Sequence, residues 1–382
     1  MQRIENLVII LSLILLTACR LNTNFNHVTN LQSTQSISTS QTQVAAALEA
    51  TSNSTETEVI HQETFQSKEV IQPANANHLV TSLVMHDIVS SEMGFIATGN
   101  SIVLLGSKGL ATIDFSQANL IPKDVELFSS TITETQLALL SLSKTDETIA
   151  WVREERYLEV MDLQIPNSDK ELTYSESPIT GMAISGDRGE IVFSSYDGTI
   201  NLWNLNNAQE KESWSTTSWL KDLSYSPDGR YFSGVDTTNF IAYVYNVENG
   251  QVVDELEWLD TASPLLYAAY FSPDWKTLAW VARSTIQLMD TADGNLGPIL
   301  NHEDYINAVA WSPDGRLLAV ASAASLNNDL VPVIVLWEVS DGSQLNLLPQ
   351  IVPVIFLAFS PDGTSLAFLT SNNEMHLLDV RK

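Results

Sequence analysis

Four short tetrads punctuate the second half of this chain and dictate how it folds: Ser226-Pro227-Asp228-Gly229, Ser272-Pro273-Asp274-Trp275, Ser312-Pro313-Asp314-Gly315 and Ser360-Pro361-Asp362-Gly363. Two weaker copies, Ser143-Lys144-Thr145-Asp146 and Ser185-Gly186-Asp187-Arg188, precede them, and the successive steps are 42, 41, 46, 40 and 48 residues. In each full copy proline presets φ at the second turn position and glycine takes the fourth, which describes a type I turn. Trp275 stands where the others have glycine. A bulky residue at positive φ is strained, so that turn is expected to change type. Apolar alternation flanks the turns, as with Val309 and Trp311 before Ser312 and Leu318, Val320 and Ser322 after Gly315. Each tetrad therefore joins two antiparallel strands. A second turn recurs in phase behind a third strand, as Glu248-Asn249-Gly250, Ala292-Asp293-Gly294 and Ser340-Asp341-Gly342. Small sheets of this kind are marginal alone, so the copies must pack against one another.

A repeat of 40 to 45 residues is the period of a four-stranded propeller blade. The third strands carry Leu202-Trp203-Asn204-Leu205, Val244-Tyr245-Asn246-Val247, Leu336-Trp337-Glu338-Val339 and Leu377-Leu378-Asp379-Val380, and Tyr196-Asp197-Gly198-Thr199 precedes the first of these. In this the chain resembles the WD-repeat β-propeller family from about Leu79 to Lys382, with Asp197, Trp203, Trp311 and Trp337 at structural blade positions. The full His, Ser/Thr, Asp and Trp hydrogen-bond set of that family is missing from every blade, so blade stability rests on apolar packing. Six turns mark six units, and Glu92 to Gln117 supplies one more ahead of them. The last unit ends after three strands, whereas Leu79 to Val89 forms a spare strand at the start. The expected fold is all-β: a seven-bladed propeller of four-stranded antiparallel blades, closed by the strand at about 79–89, which completes the last blade and removes open edges. Asn307 to Gly342 is then the sixth blade, with Ala323 to Leu330 as an inserted loop. A six-bladed propeller like that of the Tol system shares the turn signature, but it leaves one unit unused.

The N-terminus reads as an export signal. Leu7 to Leu16 is almost unbroken apolar sequence, too short for a permanent span, and Leu16-Thr17-Ala18-Cys19 follows it. This tetrad resembles the lipobox of bacterial lipoproteins. The resemblance implies cleavage after residue 18 and acylation of Cys19, the one cysteine of the chain, so that the protein is lipid-anchored to the cell membrane or outer membrane and faces the periplasm or exterior. Two or three acyl chains anchor durably where one does not. Residues 19–78 are Ser/Thr/Gln-rich, with no Trp or Tyr, and read as a disordered tether. The resulting division is 1–18 signal, 19–78 tether and 79–382 propeller.

The chain has 18 basic and 46 acidic residues, a net charge of −28. Nucleic acid is excluded as a partner, because phosphate backbones demand clustered Lys and Arg. Anionic lipid surfaces are disfavoured in the same way. A protein or peptide, of basic character if charge decides, is the partner class that remains, and the chain is read as a monomer. No nucleophile elbow, phosphate-binding glycine loop or metal-binding helix motif occurs, and no cofactor or metal is expected. His86 and His376 fall on adjacent strands of the closing blade as a structural pair. Asp290 with Asp293, and Glu303 with Asp304, lack the spaced oxygen ligands of a calcium loop. Non-catalytic binding is the expected activity. In the family the loops that gather on one face serve it, and here Trp219, Trp258 and Tyr305 are the candidate anchors, with Asp222, Asp260, Asp304 and His302 beside them. Each tryptophan is equally suited to filling a gap between blades. The alternative is an exported enzyme or ligand-binding propeller, whose carboxylates and His302 gather at a central pocket.

Overall fold

The computed structural model describes residues 70–380 except 86–91, 100, 107–108, 115–125, 128–136, 166–167, 186, 259–265 and 327–328. The export signal, Cys19 and the tether up to residue 69 lie outside the described residues, as do His86 and Asp260.

Seven four-stranded antiparallel sheets form the blades of a propeller. In blade 3, for example, Ile179–Ser185, Glu190–Ser195, Thr199–Asn204 and Gln209–Ser215 run in simple meander order. First strands of adjacent blades touch around the axis, as Ile179–Ser185 does Lys221–Tyr225, and Glu92–Phe95 touches Val354–Phe359 where the ring closes. The outer strands Gln209–Ser215 and Val252–Glu257 are almost wholly exposed. The apolar sides of adjacent sheets form the core: Met93, Phe95 and Ile102 of blade 1 pack with Leu369, Met375 and Leu377 of blade 7. Trp151 and Trp280 are among the largest fully buried side chains.

The tetrads work as hydrogen-bonded modules. In each, the buried serine hydroxyl donates to the turn aspartate at 2.6–2.7 Å and accepts the amide five residues on at 2.9–3.0 Å. The Ser226 hydroxyl, with the Arg230 amide, holds Asp228 below the usual carboxylate range. Trp275 corrects one expectation, since it adopts φ 60° beside 66°, 71° and 70° for Gly229, Gly315 and Gly363, and its amide bonds Ser272 O at 2.9 Å as theirs do. The turn type is kept because serine and aspartate hold it, and the indole packs on Phe271 at 4.7 Å.

Ring closure follows the expected route. Leu79–Met85 pairs antiparallel with Met375–Val380, from Leu79↔Val380 to Met85↔Met375. Seven sheets exclude the six-bladed alternative. The tether boundary moves, however, because Val70 to His78 belongs to the fold. Ile71 is 1% exposed and Ala76 fully buried among Leu317, Val354 and Phe359. The Ile71 amide donates to Gly363 O at 2.8 Å, Gln72 bridges Asp314 and Arg316, and Asn346 donates to Ala76 O at 2.8 Å. This segment is a latch across blades 6 and 7.

Both arms of the inserted loop are strands. Leu317–Leu326 and Asp329–Glu338 pair continuously out to Leu326↔Asp329, so Ala323 to Leu326 and Asp329 to Leu330 extend a hairpin. Strand pairing continues because each residue added to the hairpin finds its cross-strand partner.

Candidate interaction face

Turns between second and third strands, and connections from each outer strand to the next blade, lie together on the face opposite the tetrads. Over blades 2 to 4 they are tied into one rim. Ile179 N donates to Glu155 O at 2.7 Å, Tyr196 N to Pro178 O at 2.8 Å, Asp197 N to Ser177 Oγ at 3.1 Å, and Thr216 N to Gly198 O at 2.8 Å. Gly198 has φ 82°, and a Cβ there would stand 2.8 Å from Thr216 O, which accounts for glycine in Tyr196-Asp197-Gly198. On this rim Tyr196, 55% exposed, stacks on half-buried Trp219 with centroids 6.0 Å apart and planes at 26°. Asp197 caps its own turn by accepting the Thr199 amide at 3.0 Å.

Tyr305 occupies the equivalent connection after blade 5. It is 47% exposed and lies under the Arg283 guanidinium at 4.2 Å. Asp304 accepts the Tyr305 amide at 2.8 Å and so shapes the loop. Trp258 is not on the face: at 9% exposure it packs against Trp280 at 5.8 Å, in the core between blades 4 and 5. His302 is likewise structural. Its Nδ1 is 2.9 Å from Ser322 Oγ, its ring meets Trp337 edge-on at 5.4 Å, and burial pushes its pKa down to about 4. The Trp337 indole N–H is buried with no acceptor among the described residues, so the polar set is incomplete even here. His376 stacks on Phe368 at 4.5 Å. Trp203 packs against the core between blades 2 and 3, and Trp311 donates to Tyr270 O at 3.2 Å.

Asp222 also departs from the loop face. It sits within the first strand of blade 4, Lys221–Tyr225, at φ 51° where the pairing register shifts. Burial pushes its pKa up to about 6, against the pull of Lys221 and the Ala269 amide. Glu92, on the first strand of blade 1, accepts the amides of Leu139 at 3.1 Å and of Leu140, both on blade 2, and burial pushes its pKa up to about 7. Tyr270, on the first strand of blade 5, is held far above the usual phenol range by burial, then by Asp222, Tyr267 and Glu92. The first strands of three blades thus carry ionisable groups raised by burial; Glu92 is about half protonated at pH 7, whereas Asp222 keeps its proton only below about pH 6. His302 is not among them. Sequence reasoning missed Glu92, Tyr270, Tyr196 and Arg283. Tyr196 had a signal, since it adjoins Asp197 in a turn already identified.

The calcium candidates spend their oxygens on local amides: Asp290 on Ala292, Asp293 on Asn295 and Glu303 on Ser325. Among the described residues no three His, Cys, Asp or Glu side chains come together to hold a metal, and no helix is long and apolar enough to cross a membrane.

Residues 168–204 and 295–327 match the WD domain, G-beta repeat family. The chain is 27% identical over 133 residues to a WD repeat-containing protein SL1-17 of Schistosoma mansoni, a stretch that covers 34% of this chain and 42% of that protein. It is 31% identical over 100 residues to SVP1-like protein 2 of Neurospora crassa, covering 25% and 22%. It is 23% identical over 164 residues to a WD repeat-containing protein WDS homolog of Arabidopsis thaliana, covering 41% and 30%. The chain thus spans less than half the length of each of these relatives. The repeat matches and the seven blades together support a WD-repeat β-propeller.

Proposed function

We propose that this protein is a membrane-anchored, extracytoplasmic scaffold that binds a protein partner on the face opposite its tetrads and catalyses no reaction itself. The observation that carries the reading is the Tyr196–Trp219 stack, an exposed tyrosine on a half-buried tryptophan, on a rim braced by main-chain hydrogen bonds. Exposed aromatics on rigid supports dominate interface energetics at low entropic cost. Propellers with WD repeats generally serve as interaction scaffolds, and the repeat match favours that role here. The lipobox-like Leu16-Thr17-Ala18-Cys19 supplies the anchor in this reading. The latch, Val70 to His78, contacts the tetrads of blades 6 and 7 on the face away from the stack, an arrangement that favours a partner-binding face free of the anchor.

Affinity capture from membranes tests the proposal. The pair Tyr196→Ala and Trp219→Ala should abolish capture while the melting midpoint stays within a few degrees, and unchanged capture would refute it. Cys19→Ser should release the protein from membranes, and persistent membrane association would remove the anchor from the account.

A further inference from the structure

The rim around the Tyr196–Trp219 stack combines an aromatic pair that no cation covers among the described residues with exposed carboxylates whose basic neighbours are engaged elsewhere. Trp219 and Tyr305 stand at the same place in the repeat, each one residue before a buried apolar side chain, Leu220 or Ile306, that leads into the next first strand. After blade 5 the turn of the same blade lays the Arg283 guanidinium over the Tyr305 ring at 4.2 Å. After blade 3 the corresponding turn offers Tyr196, and no cation of the chain covers either ring among the described residues.

The charges beside this open ring are acidic. Glu154, Glu155, Glu176 and Asp197 are all exposed, and they sit in the turns and connections that the rim hydrogen bonds join. Glu155 and Glu176 make no ion pair among the described residues. Nearby basic groups are engaged elsewhere. The Arg156 guanidinium donates to the main-chain oxygen of Glu176 and leaves that carboxylate in solvent. Arg153 is held by Glu159 at 2.7 Å, with Glu154 at 3.3 Å and Glu171 at 3.5 Å, and Lys221 donates to Tyr267 O.

We infer that the blade 2 to 4 rim is the docking site for an Arg- or Lys-bearing segment of a protein partner, whose cation takes over the Tyr196–Trp219 pair the place that Arg283 takes over Tyr305. This deepens the scaffold reading and rests on it. A cation over an aromatic face, with carboxylates at the flank, gains from the ring quadrupole and from Coulomb attraction together. Acidic surroundings also speed encounter with a basic partner.

The test uses the full chain and three fluorescent peptides of equal length: one arginine-rich, one with every arginine replaced by glutamine, one by glutamate. Anisotropy at near-physiological salt should show saturable binding of the arginine peptide alone. Paired reversal, Glu155→Lys with Glu176→Lys, should weaken it about tenfold, because several exposed charge interactions change sign together. Paired reversal on the opposite face, Glu248→Lys with Asp293→Lys, should change it less than about twofold. Equal weakening by the two reversals, or equal binding of the glutamine peptide, overturns the inference. If the arginine peptide fails to bind while partner capture still depends on Tyr196 and Trp219, the docking face survives and its basic specificity does not. If capture is also indifferent to those two residues, the scaffold reading itself has failed.

Discussion

Glu92→Gln should reshape the pH dependence of stability. Glu92 keeps its proton up to about pH 7 in the folded chain, whereas an unfolded glutamate ionises near 4.5. Below 4.5 both states are protonated and the site is neutral in its effect. Between 4.5 and 7 the unfolded chain releases a proton that the folded chain retains, so stability falls as pH rises, and above 7 the loss is complete. A shift of this size corresponds to about 3 kcal/mol. Asp222, raised to about 6, adds a loss of the same sign over a lower range. Glutamine removes the titration, but it keeps one acceptor for two amide donors, those of Leu139 and Leu140, at a fixed cost of about 1 kcal/mol. The variant is therefore expected to be slightly less stable than the parent at pH 4.5 and about 2 kcal/mol more stable at pH 8. Urea unfolding at several pH values, followed by the fluorescence of buried Trp151 and Trp280, measures both curves. Subtracting one from the other cancels the general repulsion of a chain of net charge −28. Two curves that stay parallel from pH 4.5 to 8 would refute the reasoning.

Three further substitutions test how the blades are held. Trp258→Ala should cost about 3–5 kcal/mol, as expected for a core aromatic and not for a surface anchor, with the melting midpoint as the measure. Ile71→Ala should cost about 2–4 kcal/mol and expose Val70 to His78 to proteolysis, since that side chain seats the latch. Trp275→Gly relieves about 1–2 kcal/mol of backbone strain and forfeits a ring contact of similar worth, so its midpoint should barely move, while Trp275→Ala keeps the strain, loses the ring and should be clearly less stable.

The blades were legible in sequence because their signals are local. A serine and an aspartate within three residues close each full tetrad turn by themselves, with glycine in the fourth place of all but one, and strand alternation on either side then sets which face is buried. The latch was not legible. Val70 to His78 reads as polar loop, its two buried residues, Ile71 and Ala76, show no strand period, and its partners Asp314, Arg316 and Gly363 lie more than 240 residues away. Trp219 and Trp258 looked alike for a similar reason. Both lie in connections between blades, Trp258 at the start of one and Trp219 at the end of another, and only Trp280 of the neighbouring blade decides that Trp258 is enclosed. Asp222 was misplaced because its positive φ, which turns it out of the strand's alternation, has no signature in Lys221-Asp222-Leu223. The position of Tyr305 was legible, because it is a polar-loop aromatic that stays exposed in the fold.

Site-specific photo-crosslinking of the full chain in intact cells tests the interaction face most directly. A photoreactive phenylalanine analogue is placed at position 196 on the rim, or at position 248 on the opposite face. The account predicts a discrete protein adduct from position 196 and none from position 248. An adduct only from 248, or none from either position, would contradict it.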